Sequence, residues 1–303
     1  MNTCGVIDIG ANTIRLNIYR IADGRLEDIF SKKSVAGLRS YVENGELSKR
    51  GIKKLEMVLG NLLKIYELLK TERLYAFATA SLRNISNQKD VIDYIKKKLD
   101  IEIEVIGQEM EATFGFQGIS NELRKDKGIT VDIGGGSVEI VRFEDGKPKG
   151  FLNLDEGSLS LYSKFSSEIL PTEEEIKKMR DLIERKLVEA YDGDVKSKKL
   201  IGIGGTIRAA GNIIYELGLS DNTKRFTYEN VKYLLRGIRK RDKEVIKVIL
   251  QVVPERIHTI SGGVATLRTV MEHFSSEEVL VSSFGIREGF LLDKLRREKG
   301  GKD

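Results

Sequence analysis

The stretch Thr130–Glu139, Thr-Val-Asp-Ile-Gly-Gly-Gly-Ser-Val-Glu, constrains the fold more than any other part of the chain. A β-rich run ends at Asp132, a turn of glycines and one serine follows, and a second β-rich run begins at Val138. Glycines weaken a strand pair, so consecutive glycines indicate a turn that another group approaches closely. The backbone N–H groups of such a turn form a concave surface that attracts phosphate. The predicted phosphate-binding residues are Gly134, Gly135, Gly136 and Ser137.

Two carboxylates flank this turn, Asp132 at the end of the first run and Glu139 near the start of the second. Proteins commonly hold Mg²⁺ with one or two carboxylates, and phosphate oxygens and water complete its shell. We therefore predict that Asp132 and Glu139 bind Mg²⁺ beside the phosphate.

A second copy of this pattern lies near the N-terminus, where residues 6–16 read Val-Ile-Asp-Ile-Gly-Ala-Asn-Thr-Ile-Arg-Leu. Each copy leads to an Asp-Gly pair, Asp23–Gly24 or Asp145–Gly146, which is a strong signal for a hairpin. A repeat of this kind predicts a duplicated domain with two turns that face each other across a cleft. In this first copy, the predicted phosphate-binding residues are Gly10, Asn12, Thr13 and Arg15, and Asp8 is a predicted metal ligand.

The rest of the chain indicates an α/β fold with two domains. Apolar residues recur at helical spacing from Ser48 to Lys70, and strands then alternate with helices. A charged segment, residues 121–128, predicts the boundary between domains 1–123 and 124–303. Residues 80–87 are expected to form a polar turn, 204–206 a turn into a helix, and 227–273 a helical region.

Five segments, taken in order, resemble the exopolyphosphatase / guanosine pentaphosphate phosphohydrolase family of the actin-like ATPase superfamily. They are residues 8–16, 78–83, 105–112, 132–139 and 284–289. The resemblance implies two duplicated ribonuclease-H-like (actin-like ATPase) domains that flank an interdomain cleft, in the short two-domain form. It also implies that the final helix, about 285–303, packs on the first domain.

The resemblance assigns roles to further residues. It places the catalytic carboxylate immediately before an alanine, which here is Glu111, while Glu109 at the same helix start remains the alternative. Arg83 matches a position that lines the phosphate channel, and its forked guanidinium suits bidentate binding of phosphate. Arg256 is predicted to reach polyphosphate or a guanine nucleotide. Thr113 stands where the family commonly has arginine, which weakens the case for tight binding of a highly charged substrate.

Composition excludes several classes of protein. No run of 18 uncharged apolar residues exists, so we expect no membrane span, and one cysteine, Cys4, fits a reducing cytoplasm. The net charge is +5, and the densest basic cluster, residues 236–241, has no interleaved aromatics typical of nucleic-acid binding. The two histidines, His258 and His273, are expected on helix faces rather than in a zinc site.

These observations favour an enzyme that uses Mg²⁺ to hydrolyse the terminal phosphate of inorganic polyphosphate, preferentially of short chains. Guanosine pentaphosphate is a second candidate substrate. The alternatives are an ATP-dependent small-molecule kinase of the same superfamily and a non-catalytic sensor of guanosine pentaphosphate or tetraphosphate. Phosphate release from polyphosphate, with ATP as a control, separates the three. The sequence leaves the oligomeric state open, including a homodimer.

Overall fold

The structure, a computed structural model, describes residues 3–22, 25–120, 127–191 and 195–300. The chain forms two compact units, one of residues 1–111 and 290–303 and the other of residues 112–289. The charged segment predicted as the domain boundary lies mostly outside the described residues, as does the Asp23–Gly24 pair.

The first unit contains a mixed sheet and its flanking helices. Its elements in chain order are β1 (Thr3–Ile9), β2 (Thr13–Ala22), β3 (Arg25–Val35), β4 (Val42–Glu43), β5 (Glu46–Leu47), α1 (Lys49–Leu68), β6 (Arg73–Ala78), α2 (Ala80–Arg83), α3 (Gln88–Leu99), β7 (Ile103–Val105) and α4 (Gln108–Ile119), whose C-terminal part belongs to the second unit. A 3₁₀ turn spans Leu38–Tyr41.

The second unit repeats this plan with more helices. Its elements are β8 (Lys127–Ile133), β9 (Val138–Glu144), β10 (Lys147–Leu154), α5 (Ser158–Phe165), α6 (Glu173–Ala190), β11 (Lys199–Ile203), α7 (Gly204–Glu216), β12 (Arg225–Thr227), α8 (Tyr228–Arg239), α9 (Lys243–Val252), α10 (Ile260–His273), β13 (Glu278–Val281) and α11 (Ile286–Gly300), whose C-terminal part returns to the first unit. A second 3₁₀ turn spans Pro254–Arg256.

The two sheets share one topology, which confirms the predicted duplication. The first has the order β3-β2-β1-β6-β7, and the second begins with the equivalent order β10-β9-β8-β11-β13 and adds β12 at its edge. In each sheet the three hairpin strands are antiparallel and the next two strands run parallel to the first. The fold is therefore the duplicated actin-like fold that the sequence predicts. The predicted cleft stays a prediction.

Local signals in the sequence explain where several elements begin and turn. The Ser48 hydroxyl accepts the N–H of Gly51 at 3.4 Å and caps α1, as predicted. Helix α6 begins with a capping box. The Thr172 hydroxyl accepts a hydrogen bond from the N–H of Glu175 at 3.3 Å, and the Glu175 carboxylate accepts one from the N–H of Thr172 at 2.7 Å. At the turn between β9 and β10, Asp145 and Gly146 have φ values of 52° and 69°, as a type I′ hairpin turn requires.

Other predictions about local structure were wrong. Residues 80–83 form the short helix α2 rather than only a polar turn, and residues 204–206 already belong to α7. The region 227–273 is helical as predicted, but it is divided into three separate helices, because Pro254 and the segment around residue 241 interrupt it. Helix α5 was not predicted from the sequence.

Each unit has its own apolar core. In the first, Leu55, Leu59 and Leu62 of α1 pack with the buried residues of β1 and β2. In the second, the buried residues of β8, β9 and β11 pack with α6, α7 and α10. None of the helices in the described residues combines the length and the apolar character that a membrane crossing needs.

The last helix, α11, begins in the second unit and continues in the first. Near the start of α11, the backbones of α4 and α11 are in direct contact. They are so close that a Cβ on Gly118 would overlap the carbonyl oxygen of Gly285. Beyond residue 290, α11 packs on β6 and β7 of the first unit. The ring of Phe290 lies 4.6 Å from that of Phe77, and Lys294 forms an ion pair with Glu104.

We expect Gly118→Ala to lower the free energy of unfolding by about 1–3 kcal/mol, because its methyl group would collide with backbone that cannot move aside. Gly115→Ala is the matched control, since a Cβ at Gly115 on the same helix meets no atom within 4 Å. The control should be neutral or stabilising by up to about 1 kcal/mol, since alanine is the better helix former. Urea denaturation of both variants measures the difference, and equal midpoints would contradict the prediction.

Candidate active site

The turn between β8 and β9 is held in one conformation by the N-terminus of α5. The N–H of Gly134 donates to the carbonyl of Ser137 at 3.0 Å and closes the turn. The N–H of Ser158 donates to the Gly134 carbonyl at 2.9 Å, and the first N–H groups that follow donate to the Gly135 carbonyl. Since C=O and N–H point in opposite directions in a trans peptide, the N–H groups of Gly135 and Gly136 point away from α5. The binding of an anion by these N–H groups stays a prediction.

Gly157, which precedes α5, allows the close contact between α5 and the turn. The sequence analysis did not predict this role for Gly157. A Cβ at Gly157 would lie 2.6 Å from the carbonyl oxygen of Gly134 and 2.7 Å from the amide nitrogen of Gly136. The backbone N–H of Gly157 donates to the Ser160 hydroxyl at 2.8 Å, and that hydroxyl donates to the buried carboxylate of Glu156 at 2.8 Å. This chain of hydrogen bonds fixes the first turn of α5 against the phosphate-type turn.

The two predicted metal ligands of this unit lie side by side. Asp132 in β8 is directly opposite Glu139 in β9, so their side chains share one face of the sheet. Glu139 is only 4% exposed, whereas Asp132 is half-buried. A buried carboxylate is costly unless a donor or a cation compensates its charge. Two hard oxygen donors beside an anion-binding turn therefore fit Mg²⁺.

Arg256, in the 3₁₀ turn Pro254–Arg256, lies against the start of α7 close enough for its charge to interact with that of Asp132. Gly204 has a φ of 86°, and a Cβ there would overlap the Asp132 carboxylate. A Cβ on Gly205 would overlap Nη2 of Arg256, so the guanidinium lies on the backbone of α7. Burial lowers the pKa of Arg256, and the charges of Glu255 and Asp132 act in the opposite direction. The glycines at 204 and 205 thus bring Arg256 toward Asp132, and its role in phosphate binding stays a prediction.

The histidines differ from each other in their surroundings. His273 ends α10, and its Nδ1 lies 3.3 Å from the Glu184 carboxylate, consistent with the predicted helix face. The prediction was wrong for His258, which lies in the turn after Pro254–Arg256 with its ring edge-on to Tyr162 at 5.4 Å. Burial, and then the charge of Arg256, lower the pKa of His258. The imidazole is therefore neutral at neutral pH.

The first unit repeats the turn between β1 and β2. The N–H of Gly10 donates to the Thr13 carbonyl at 3.0 Å, the same closure as in the second unit. The Asn12 carbonyl accepts the N–H groups of Ala36 and Gly37, each at 2.9 Å, so the N–H of Thr13 points away from that segment. Residues 36–37 thus donate hydrogen bonds to a carbonyl of the turn in the first unit, as the N-terminus of α5 does in the second unit.

Arg83 and Glu111 form an ion pair that the sequence did not predict. Nη1 of Arg83 donates to the Glu111 carboxylate at 2.6 Å and to the Ile106 carbonyl at 3.1 Å. The side chains of Arg83 and Glu111 are 14% and 13% exposed, and Nη2 of Arg83 is buried with no hydrogen-bond partner among the described residues. Glu109, the alternative catalytic residue, is exposed. The catalytic role of Glu111, with Glu109 as the alternative, stays a prediction.

Helix α2 positions Arg83 relative to the first turn. The Ser81 hydroxyl donates to the carbonyl of Ile9 at 2.5 Å, which ties α2 to the end of β1. Asp8 immediately precedes Ile9 and lies directly opposite Arg15 in β2. The basic side chain of Arg15 therefore lies on the same face of the sheet as Asp8. In the described residues no three His, Cys, Asp or Glu side chains converge on one point. The assignment of Asp8 as a metal ligand stays a prediction.

The duplicated fold and its two phosphate-type turns define a protein of the actin-like class that handles phosphate groups. The chain belongs to the Ppx/GppA phosphatase family, whose model matches residues 17–298. Exopolyphosphatase 1 of Mycobacterium tuberculosis is 26% identical over 98% of this chain and 89% of its own length. The guanosine-5'-triphosphate,3'-diphosphate pyrophosphatase of Photobacterium profundum is 23% identical over 96% of this chain and 59% of its own.

A solved structure of the Aquifex aeolicus family member is 28% identical to this chain. It superposes with a TM-score of 0.79 and covers 98% of each chain.

We expect Gly157→Ala to weaken phosphate binding at the Gly134–Ser137 turn at least about tenfold, because the new methyl group would push the turn off α5 and misdirect its N–H groups. Gly150→Ala in β10 is the control, since a Cβ there meets only the Arg142 side chain, at 3.9 Å. Binding of inorganic phosphate, measured by calorimetry, should change in the first variant only. Equal affinities in both variants would separate the turn from phosphate binding.

Proposed function

We propose that this protein is an exopolyphosphatase, which hydrolyses the terminal phosphate of inorganic polyphosphate with Mg²⁺ as its cofactor. The observation that carries the proposal is the Gly134–Ser137 turn, whose N–H groups point away from α5 while Asp132 and Glu139 flank it. One buried cysteine, Cys4, is consistent with the cytoplasm as the proposed location.

The residues of the second unit would bind and orient the phosphates. The N–H groups of Gly135 and Gly136 would bind phosphate oxygens, and Asp132 and Glu139 would hold Mg²⁺. When bound, Mg²⁺ would offset the negative charge of the phosphoanhydride and of the leaving group. Arg256 would add a cationic contact, for which its position on Gly205 is suitable.

The residues of the first unit would act on the attacking water. Glu111 would orient this water and accept its proton. The water oxygen forms the new bond to the terminal phosphorus, the anhydride bond breaks, and the shortened chain leaves with the bonding electrons. Arg83 would hold the Glu111 carboxylate in place through Nη1, and its buried Nη2 would remain available for a phosphate oxygen.

Polyphosphate is favoured over guanosine pentaphosphate because it needs a basic track and no base pocket. The side chains that could form such a track are Arg15, Arg83, Arg208 and Arg256. Thr113 removes one basic contact relative to the common family pattern, which favours short chains. The relatives from Mycobacterium and Photobacterium carry names that cover both substrate types, so guanosine pentaphosphate remains a second candidate substrate.

Glu111→Gln should lower kcat by about 10²–10⁴-fold, because glutamine cannot accept the proton of the water. Polyphosphate affinity should remain within a few-fold, since the substitution leaves the turns intact. Glu109→Gln, two residues earlier on the same helix, is the control and should retain wild-type turnover. Phosphate release under single-turnover conditions measures the effect, and a variant that keeps more than about a tenth of kcat would exclude Glu111 as the base.

Asp132→Asn and Glu139→Gln should each raise the Mg²⁺ concentration for half-maximal activity at least about tenfold, because each removes an anionic oxygen. Titration of Mg²⁺ at saturating polyphosphate gives this value. Unchanged titration curves in both variants would remove these residues from the metal site.

The substrate preference is tested by kcat/KM for short polyphosphate, long polyphosphate and guanosine pentaphosphate at one salt concentration, with ATP as the control. We expect the highest value for short polyphosphate and no turnover of ATP. A higher value for the nucleotide would reverse the ranking of substrates, and a higher value for the long polymer would reject the length preference. Transfer of phosphate from ATP to an acceptor would instead indicate a kinase.

A further inference from the structure

Three side chains form a row across the sheet of the second unit. Asp132 in β8 lies opposite Glu139 in β9, and Glu139 lies opposite Asn153 in β10. Directly opposed residues of antiparallel strands project from the same face, with Cβ atoms about 4.5–5.5 Å apart. The row lies at the end of the sheet that carries the Gly134–Ser137 turn, since Asn153 is the penultimate residue of β10. Asn153 therefore borders the carboxylates proposed to hold Mg²⁺.

The Asn153 side chain has an oxygen that nothing in the described residues satisfies. Its Oδ1 is wholly buried and has no hydrogen-bond partner among the described residues. A buried acceptor left without a donor costs about 1–3 kcal/mol. The neighbour across the strand, Glu139, brings further negative charge to the same buried place. A cation bound there would satisfy the amide oxygen and the carboxylate together.

The equivalent row of the first unit has the opposite chemistry. At the same register positions, Asp8 lies opposite Arg15, and Arg15 lies opposite Lys33. There, two basic side chains follow the aspartate, whereas Asp132 is followed by an acid and an amide. The strands of the second unit thus supply oxygen ligands where those of the first unit supply cations. The row itself thus holds no basic residue in the second unit, and the charge of Arg256, from the 3₁₀ turn Pro254–Arg256, acts on Asp132.

We propose that Asn153 is a third oxygen ligand of the Mg²⁺ site, which its Oδ1 completes beside Glu139 and Asp132. Amide carbonyl oxygens are suitable ligands for hard cations. The inference rests on the proposed function for the presence of a metal at this place. It adds a ligand that the sequence motifs do not contain, since Asn153 lies 14 residues beyond Glu139 on another strand.

The test is Mg²⁺ binding in the absence of substrate, followed by calorimetry and by the rise in Tm with added Mg²⁺. Asn153→Ala removes the oxygen and should weaken Mg²⁺ binding by about 10–100-fold. Asn153→Asp keeps an oxygen at the same place and adds charge, so it should bind Mg²⁺ at least as tightly as the unmodified protein. Rescue by aspartate is a result that loss of packing alone would not produce.

Asn17→Ala is the control for general loss of stability. Asn17 is a buried asparagine of β2 whose Nδ2 donates to Asp28 at 2.8 Å. This variant should lower Tm and leave the Mg²⁺ affinity unchanged.

Two results would overturn the proposal. An unchanged Mg²⁺ affinity in Asn153→Ala would show that the oxygen is not a ligand. Weaker binding in Asn153→Asp would show that the amide instead donates an N–H to Glu139. Phosphate release by the unmodified protein is measured separately, so a failure of the proposed hydrolysis is distinguished from a failure of the Asn153 assignment.

Discussion

The hydrogen bonds from the first turn of α5 to the carbonyls of Gly134 and Gly135 fix the conformation of the glycine turn between β8 and β9. When the carbonyl of a trans peptide accepts a hydrogen bond from a neighbour, the N–H of that peptide points in the opposite direction. By donating N–H groups to the carbonyls of Gly134 and Gly135, α5 directs the N–H groups of Gly135 and Gly136 toward the opposite side. This contact requires Gly157 to have no side chain, and Glu156 and Ser160 hold the helix start in place. The direction of the N–H groups in this turn therefore depends on a helix that lies on its other side.

Much of this arrangement could be predicted from the sequence, because its signals are local. The Asp-Ile-Gly turns, the Asp145–Gly146 hairpin and the caps at Ser48 and Thr172 each depend on residues within a few positions of one another. The shared strand order of the two sheets follows from the repeated motif. These features identify the fold and the phosphate-type turns without any knowledge of packing.

The parts that could not be predicted depend on contacts between distant segments. Arg83 and Glu111 are separated by 28 residues, and nothing near either one indicates that they form an ion pair. Helix α5 is short, and its role appears only when its N-terminus is seen against the Gly134–Ser137 turn. His258 was assigned to a helix because the region around it has helical spacing, yet Pro254 breaks the helix just before it. Asn153 carries no motif at all, and only the register of β9 and β10 brings it beside Glu139.

The path of α11 has a consequence for the order in which the protein can fold during synthesis. In the first unit, Phe290 packs on Phe77 and Lys294 pairs with Glu104, so these contacts come from residues made 190 or more positions later. The second unit is continuous in sequence and has all of its residues as soon as Gly289 has left the ribosome. The unit that is translated first is thus the one that is completed last, and until then the apolar surface around Phe77 lacks its cover.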